Sequence, residues 1–152
     1  MYNTLNTKEQ MNMKEKNSDI IKLSVPNKPE YVGIIRLTTS GIANRMGFDI
    51  EEIEDIKVAI SEACTNAITH GICQEENFNV DFYTDEEKLV ISVYDNGKGC
   101  LSDNIKIPNM EELKEGGLGI FIIKSLMDDV EISSNSGKGT LIKMTKYVGD
   151  DF

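Results

Sequence analysis

Glu62 and Asn66 stand four residues apart in a stretch whose apolar residues return every three or four positions. On a helix, residues at that spacing are surface neighbours. A carboxylate and an amide oxygen so placed can share a Mg²⁺–phosphate complex, the first as general base and the second as an oxygen ligand. Taken alone, such a pair also describes an ordinary solvated helix face. Three glycine-bearing segments follow it. Asp95-Asn96-Gly97-Lys98-Gly99 closes an apolar run. Asp, Asn and Gly suit a surface turn, but alternating glycines also let a ligand approach the backbone, and Asp95 could accept a hydrogen bond from an exocyclic amine. Glu115-Gly116-Gly117-Leu118-Gly119 heads a helical pattern, where free N–H groups and the positive end of the helix dipole favour an anion. Gly137-Lys138-Gly139-Thr140 reads as a hairpin turn. Beside the other three, Thr140 becomes a hydrogen-bonding wall of a pocket. Neither a dinucleotide G-x-G-x-x-G between strand and helix nor a G-x-x-x-x-G-K-[ST] loop occurs.

The elements that must carry these residues are legible from hydrophobic period. Ile21, Leu23 and Val25 alternate with polar residues up to Pro26, a strand pattern. Pro29 opens and Gly47 closes a helix whose Tyr31, Ile34, Ile35, Ile42 and Met46 recur at helical spacing. A second helix begins near Asp49, with Glu51 and Glu52 in its first turn, and reaches His70 or Gly71. Its stripe is Ile53, Ile56, Ile60, Ala63, Cys64 and Ala67. Val80 and Phe82, then Leu89 to Tyr94, form two strands around an acidic turn. Asp95 to Glu115 is loop-like. A third helix follows the glycines, with Leu118, Phe121, Ile122 and Leu126 expected to face inward, and Val130–Ile132 and Leu141–Val148 close the sheet. The expected architecture is a two-layer α+β sandwich, one antiparallel or mixed sheet with helices on one face. Residues 1–19 read as a polar tail, 20–148 as one domain and 149–152 as a C-terminal tail.

Composition narrows the partners. The chain has 152 residues and a formal charge of −10. That balance disfavours direct binding of nucleic acid, which needs basic patches, and of an anionic membrane surface. No run approaches the roughly 18 apolar residues of a spanning helix, and the first residues carry no apolar signal segment. Cys64, Cys73 and Cys100 are odd in number and form no C-x-x-C, as suits a reducing cytoplasm. Cys64 falls on the apolar stripe and reads as core. The acidic run from Asp49 to Asp55 reads as a helix start with a solvated face.

Taken in order, the E-x-x-x-N helix, D-x-G-x-G, G-x-G at a helix start and G-x-G-T resemble the GHKL (Bergerat) ATP-binding fold. That superfamily includes histidine-kinase catalytic domains, gyrase-type ATPases, Hsp90 and the anti-sigma-factor serine kinases. Ser61-Glu62-Ala63-Cys64-Thr65-Asn66-Ala67 resembles the last group. So do Pro29-Glu30-Tyr31-Val32-Gly33-Ile34-Ile35-Arg36-Leu37, Glu115 to Gly119 and Met144-Thr145-Lys146-Tyr147, and the likeness is nearest to the sigma-B type. The resemblance implies a homodimeric cytoplasmic anti-sigma factor. It would sequester a sigma-B-type factor and use Mg²⁺ and ATP to phosphorylate a serine on an anti-anti-sigma antagonist. It also implies roles: Glu62 as base, Asn66 as Mg²⁺ ligand, Asp95 on the adenine amine, and Gly97 and Gly99 beside base and ribose. Gly117, Leu118 and Gly119 would lie at the phosphates, Thr140 on the adenine side, and Cys100 to Glu115 would form a lid.

One place departs from the family pattern. Some relatives carry an arginine just before the lid glycines, where this chain has Glu115 preceded by Lys114. The terminal phosphate's charge then falls to Lys114 or to an arginine from elsewhere such as Arg45. The alternative function is a nucleotide-binding, sigma-sequestering module without catalysis. A two-component autokinase is disfavoured, because His70 is the single histidine and belongs to the Glu62–Asn66 helix.

Overall fold

A computed structural model of the chain describes residues 17–70, 76–95, 117–135 and 139–149. Strand β1 (Asp19–Pro26) leads through a short 3-10 turn (Pro29–Tyr31) into helix α1 (Val32–Met46). Helix α2 (Ile50–His70), the hairpin β2 (Asn77–Thr84) and β3 (Lys88–Tyr94), helix α3 (Gly117–Leu126), β4 (Asp129–Asn135) and β5 (Gly139–Tyr147) follow. The strands form one sheet in the order β1-β2-β3-β5-β4, and every pairing is antiparallel. The expected α+β sandwich is therefore built on an antiparallel sheet.

Register separates the two faces cleanly. Ile21, Phe82, Ile91, Met144 and Val130 lie opposite one another across the five strands, and so do Leu23, Val80, Val93, Ile142 and Ile132. One residue out of phase, Lys22, Asp81, Ser92, Lys143 and Glu131 make a polar row on the other face. There Lys22 pairs with Asp81 at 3.8 Å and Lys143 with Glu131 at 4.0 Å. Because strand side chains alternate with period two, a slip of one residue would exchange these faces. The apolar rows therefore hold the register, and the exposed ion pairs add little.

Local chemistry ends the helices where expected. Gly47 takes φ 91°, a left-handed conformation, and its N–H returns to the carbonyls of Ala43 and Asn44; only glycine adopts that turn without strain. Helix α2 starts with a reciprocal cap: the Glu52 N–H donates to Asp49 Oδ1 at 2.8 Å and the Asp49 N–H to Glu52 Oε1 at 3.2 Å.

The buried faces differ from expectation on two helices. In α1 the covered residues are Ile35, Thr39 and Ala43, one per turn, whereas Ile34 is 54% exposed and Leu37 75%. In α3 only Ile123 is fully covered, while Leu118 and Phe121, expected inward, are 71% and 67% exposed. Helix α3 presents its first turn to α2 at Gly119. That orientation carries Leu118 and Phe121 outward. By contrast α2 buries its expected stripe of Ile53, Ile56, Ile60, Ala63 and Cys64.

Candidate functional site

The α2 stripe faces the core, and the next sector of the helix faces α3. Glu62 and Asn66 occupy that sector, both partly buried. Opposite them stands Gly119, third residue of α3. A Cβ built on Gly119 would lie 2.9 Å from Glu62 Oε2, 3.4 Å from Asn66 Nδ2 and 3.6 Å from Asn66 Oδ1. A missing side chain is what lets the carboxylate and the amide reach the first turn of α3. The N–H groups of that turn have no partner within the helix and could receive an anion.

Asn66 Nδ2 is buried and has no hydrogen-bond partner. Leaving such a donor unsatisfied among the described residues costs about 1–3 kcal/mol, and an acceptor such as a phosphate oxygen would satisfy it. Thr140 Oγ1 is orphaned in the same way. Thr140 is joined to Asp95, whose N–H donates to the Thr140 carbonyl at 3.2 Å. Asp95 lies two residues beyond Val93, where the pleat brings it to the helix-covered face, and only 8% of its surface is exposed. Helix α2 contacts β3, β5 and α3, so one helix connects the Asp95–Thr140 corner with the Glu62–Asn66–Gly119 corner.

These observations fit a nucleotide with its metal. One corner offers a buried carboxylate and an unfilled hydroxyl to a base. The other offers a helix N-terminus, an amide and a carboxylate to phosphates, Mg²⁺ and an incoming hydroxyl. Among the described residues no group of three or more His, Cys, Asp or Glu gathers as a metal site. A Mg²⁺ ion here would rest on Asn66, with phosphate and water supplying the remaining oxygens, as it commonly does.

Gly117, Leu118, Gly119 and Thr140 lie in these two corners, Leu118 with its side chain outward. Gly97, Gly99, the segment from Cys100 to Glu115, Lys114, Cys73 and the side chain of His70 lie outside the described residues. Arg45 does not fit the phosphate role. It lines a groove of about 850 Å³ with Ile21, Leu37, Thr38 and Asp85, at the β2–β3 turn. Asp95 leaves the opposite end of β3, so Arg45 and the candidate site sit at different ends of the sheet.

Cys64, between Glu62 and Asn66 in sequence, faces the core, and burial pushes its thiol up to about 12. It is inert packing and not a nucleophile. The sequence alone carries no sign of one further contact: Lys146 Nζ donates to the carbonyl of Leu126 at the end of α3, at 2.8 Å. A lysine on one strand does not announce a helix end twenty residues earlier. Among the described residues no helix is long and apolar enough to cross a membrane.

Comparison with known proteins bears on the family and the fold. The histidine kinase-like ATPase domain family matches residues 25–146. The serine-protein kinase RsbW of Oceanobacillus iheyensis is 45% identical over 145 residues, covering 89% of this chain and 90% of that protein. The Bacillus subtilis protein of the same name is 41% identical, with 89% of each chain covered. Among solved structures, the RsbU and RsbW domains of a Mycobacterium tuberculosis protein superpose with TM-score 0.63 at 20% identity. That match covers 84% of this chain and 32% of the longer one. The SiaB–SiaC complex from Pseudomonas aeruginosa matches with TM-score 0.55 at 13% identity, covering 91% and 94%. At those identities the two structures speak to the fold.

Proposed function

The chain belongs to the RsbW family of serine-protein kinases, built on a histidine kinase-like ATPase domain, and from that premise we propose how its site works and on what. It is an ATP-dependent serine kinase. The proposed protein substrate is an anti-anti-sigma antagonist, and the proposed captive is a sigma factor of the sigma-B type held in the cytoplasm.

The observation that carries the mechanism is the meeting of Glu62, Asn66 and Gly119. Bound ATP with Mg²⁺ supplies a phosphoryl group whose transfer needs positioning and charge compensation more than covalent help. Asp95 accepts a hydrogen bond from the adenine amine, and Thr140 Oγ1 fills out the same corner. The first-turn N–H groups of α3 donate to phosphate oxygens, and Asn66 would hold the metal through its side-chain oxygen. Glu62 takes the proton of the substrate serine as that oxygen bonds to phosphorus and the bond to the ADP leaving group breaks.

Homodimerisation is part of the proposal. Edge strand β1 and the outer side of α1 expose Ile20 (61%), Ile34 (54%) and Leu37 (75%). A second copy is the partner that would cover them.

The test is transfer of labelled γ-phosphate to a serine on an anti-anti-sigma protein from the same organism. Wild type should transfer one phosphate per antagonist. Glu62→Gln, which keeps shape and removes the base, should lower turnover by about 10²–10⁴-fold while ATP still binds. Transfer by Glu62→Gln at the wild-type rate would remove Glu62 from the mechanism. Sigma-factor binding without any serine transfer would leave only a sequestering module.

A further inference from the structure

The α3 helix presents the phosphate-binding turn, and its hold on the core is gathered around Ile123. Ile123 is fully buried and Leu126 packs half-buried against the same core, whereas Leu118 and Phe121 face solvent. Anchorage centred on Ile123 resists lifting but restrains tilt about that point less. Its N-terminal turn nonetheless packs closely on Glu62 and Asn66 at Gly119.

The restraint lies at the other end. Three hydrogen bonds tie the C-terminal end of α3 to the end of β5. The Asp128 N–H donates to the Thr145 carbonyl at 2.9 Å, the Tyr147 N–H to Asp128 Oδ2 at 2.7 Å, and Lys146 Nζ to the Leu126 carbonyl at 2.8 Å. Only the last reaches the helix itself. Leu126 is the final helical residue, so its carbonyl has no partner within the helix, and a cation there complements the negative end of the dipole. Strand alternation adds a second reason to single out Lys146. Ile142 and Met144 point to the helix-covered face and are buried; Lys146 follows in the same phase, where an ammonium group needs a specific partner. The Leu126 carbonyl is that partner.

We propose that Lys146 is a positioning residue for phosphoryl transfer, clamping α3 by its C-terminal carbonyl so that its N-terminal turn stays seated against Glu62 and Asn66. The inference rests on the kinase reading above. Gly119 lies four residues, about 6 Å of helix, from Ile123, so a tilt of about 10° about that point displaces it by about 1 Å. A misplacement of that size can cost about 10²-fold in rate. Strand β5 thus serves both corners: Thr140 at its start walls the base, and Lys146 near its end sets the helix that meets the phosphates.

Lys146→Met keeps the aliphatic stem and removes the donor, and Lys146→Arg restores a cationic donor. Two readouts separate this proposal from the kinase reading. The first is amide hydrogen exchange in the nucleotide-free protein. Exchange at residues 121–126, whose N–H groups are bonded within the helix, should accelerate at least tenfold in Lys146→Met, remain near wild type in Lys146→Arg, and be unchanged in β2 and β3. The second uses nucleotides. In Lys146→Met, ATP affinity and serine transfer should each fall about tenfold or more, AMP affinity should stay within twofold, and Lys146→Arg should recover most of the loss. Unchanged exchange at 121–126 would overturn the clamp whether or not the chain phosphorylates anything. Equal loss of ATP and AMP affinity without recovery by arginine would reduce Lys146 to a fold-stabilising residue and overturn it as well.

Discussion

Glu62 Oε2 lies 2.9 Å from the point where a side chain on Gly119 would begin. The proposed general base and the phosphate-binding helix thus interlock through an absent methyl group. Glycine is required here for close approach, since Gly119 sits within regular helix and carries no unusual backbone angle.

Gly119→Ala should therefore harm catalysis more than folding. The contact it makes is with the flexible end of a side chain, so Glu62 can swing aside, and alanine is the better helix former by up to about 1 kcal/mol. The expected result is a melting temperature at or above wild type, with serine transfer reduced about tenfold or more by the displaced carboxylate. Calorimetry with ADP alongside a transfer assay checks both, and full activity in Gly119→Ala would show that Glu62 need not stay where it stands.

Asp95→Asn tests the base corner. The substitution keeps size while replacing a carboxylate acceptor with an amide whose NH₂ can meet the adenine amine. A buried polar group left unsatisfied costs about 1–3 kcal/mol, so ATP binding should weaken by roughly 10–100-fold. Binding of inorganic triphosphate, which makes no base contact, should be unaffected. Isothermal titration with both ligands reads the difference.

Leu37→Glu addresses assembly. Leu37 is 75% exposed on α1 and lines the groove beside Ile21 and Arg45. If a second copy covers this side, a buried unpaired carboxylate should raise the dimer dissociation constant at least about tenfold. Sedimentation velocity over a concentration series would read the shift. An unchanged distribution would move the interface elsewhere.

Alkaline stability should depend on Cys64. Burial raises this thiol from 9.0 to about 12, so above pH 9.0 the unfolded chain releases a proton that the folded chain keeps. The folded state binds more protons in that window, and unfolding free energy falls with rising pH. The contribution is complete below pH 9.0 and is lost at up to about 1.4 kcal/mol per pH unit on the way to about 12. Tyr83 and Tyr94, both pushed upward by burial and by hydrogen bonds to Asp85 and Asp81, add to the decline only above about pH 10. Urea titrations between pH 8 and 10 should show the loss in wild type and its absence in Cys64→Ala.

Much of this site is written in local spacing. Glu62 and Asn66 are paired by helical geometry alone, and the α2 stripe from Ile53 to Cys64 is buried as its period demands. Gly47 and Asp49 mark their helix ends because capping and left-handed turns are decided within a few residues. Period failed on α1 and α3, where Ile34, Leu118 and Phe121 are apolar yet exposed. A helix with apolar residues on several sides does not say which side the sheet will cover. Which side is covered follows from where the neighbouring helix and strand ends lie.

The chain's own order of residues determined the polar pair on α2, the glycines able to admit an anion, the acidic residue after β3 and the two-layer class, because each rests on interactions a few positions long. Only the folded molecule decided that Gly119 meets Glu62, that Thr140 joins Asp95, that Arg45 stands at the far end of the sheet and that Lys146 closes the end of α3. Those pairings join segments between twenty and nearly sixty residues apart. Strand register and helix packing, not spacing, bring such segments together.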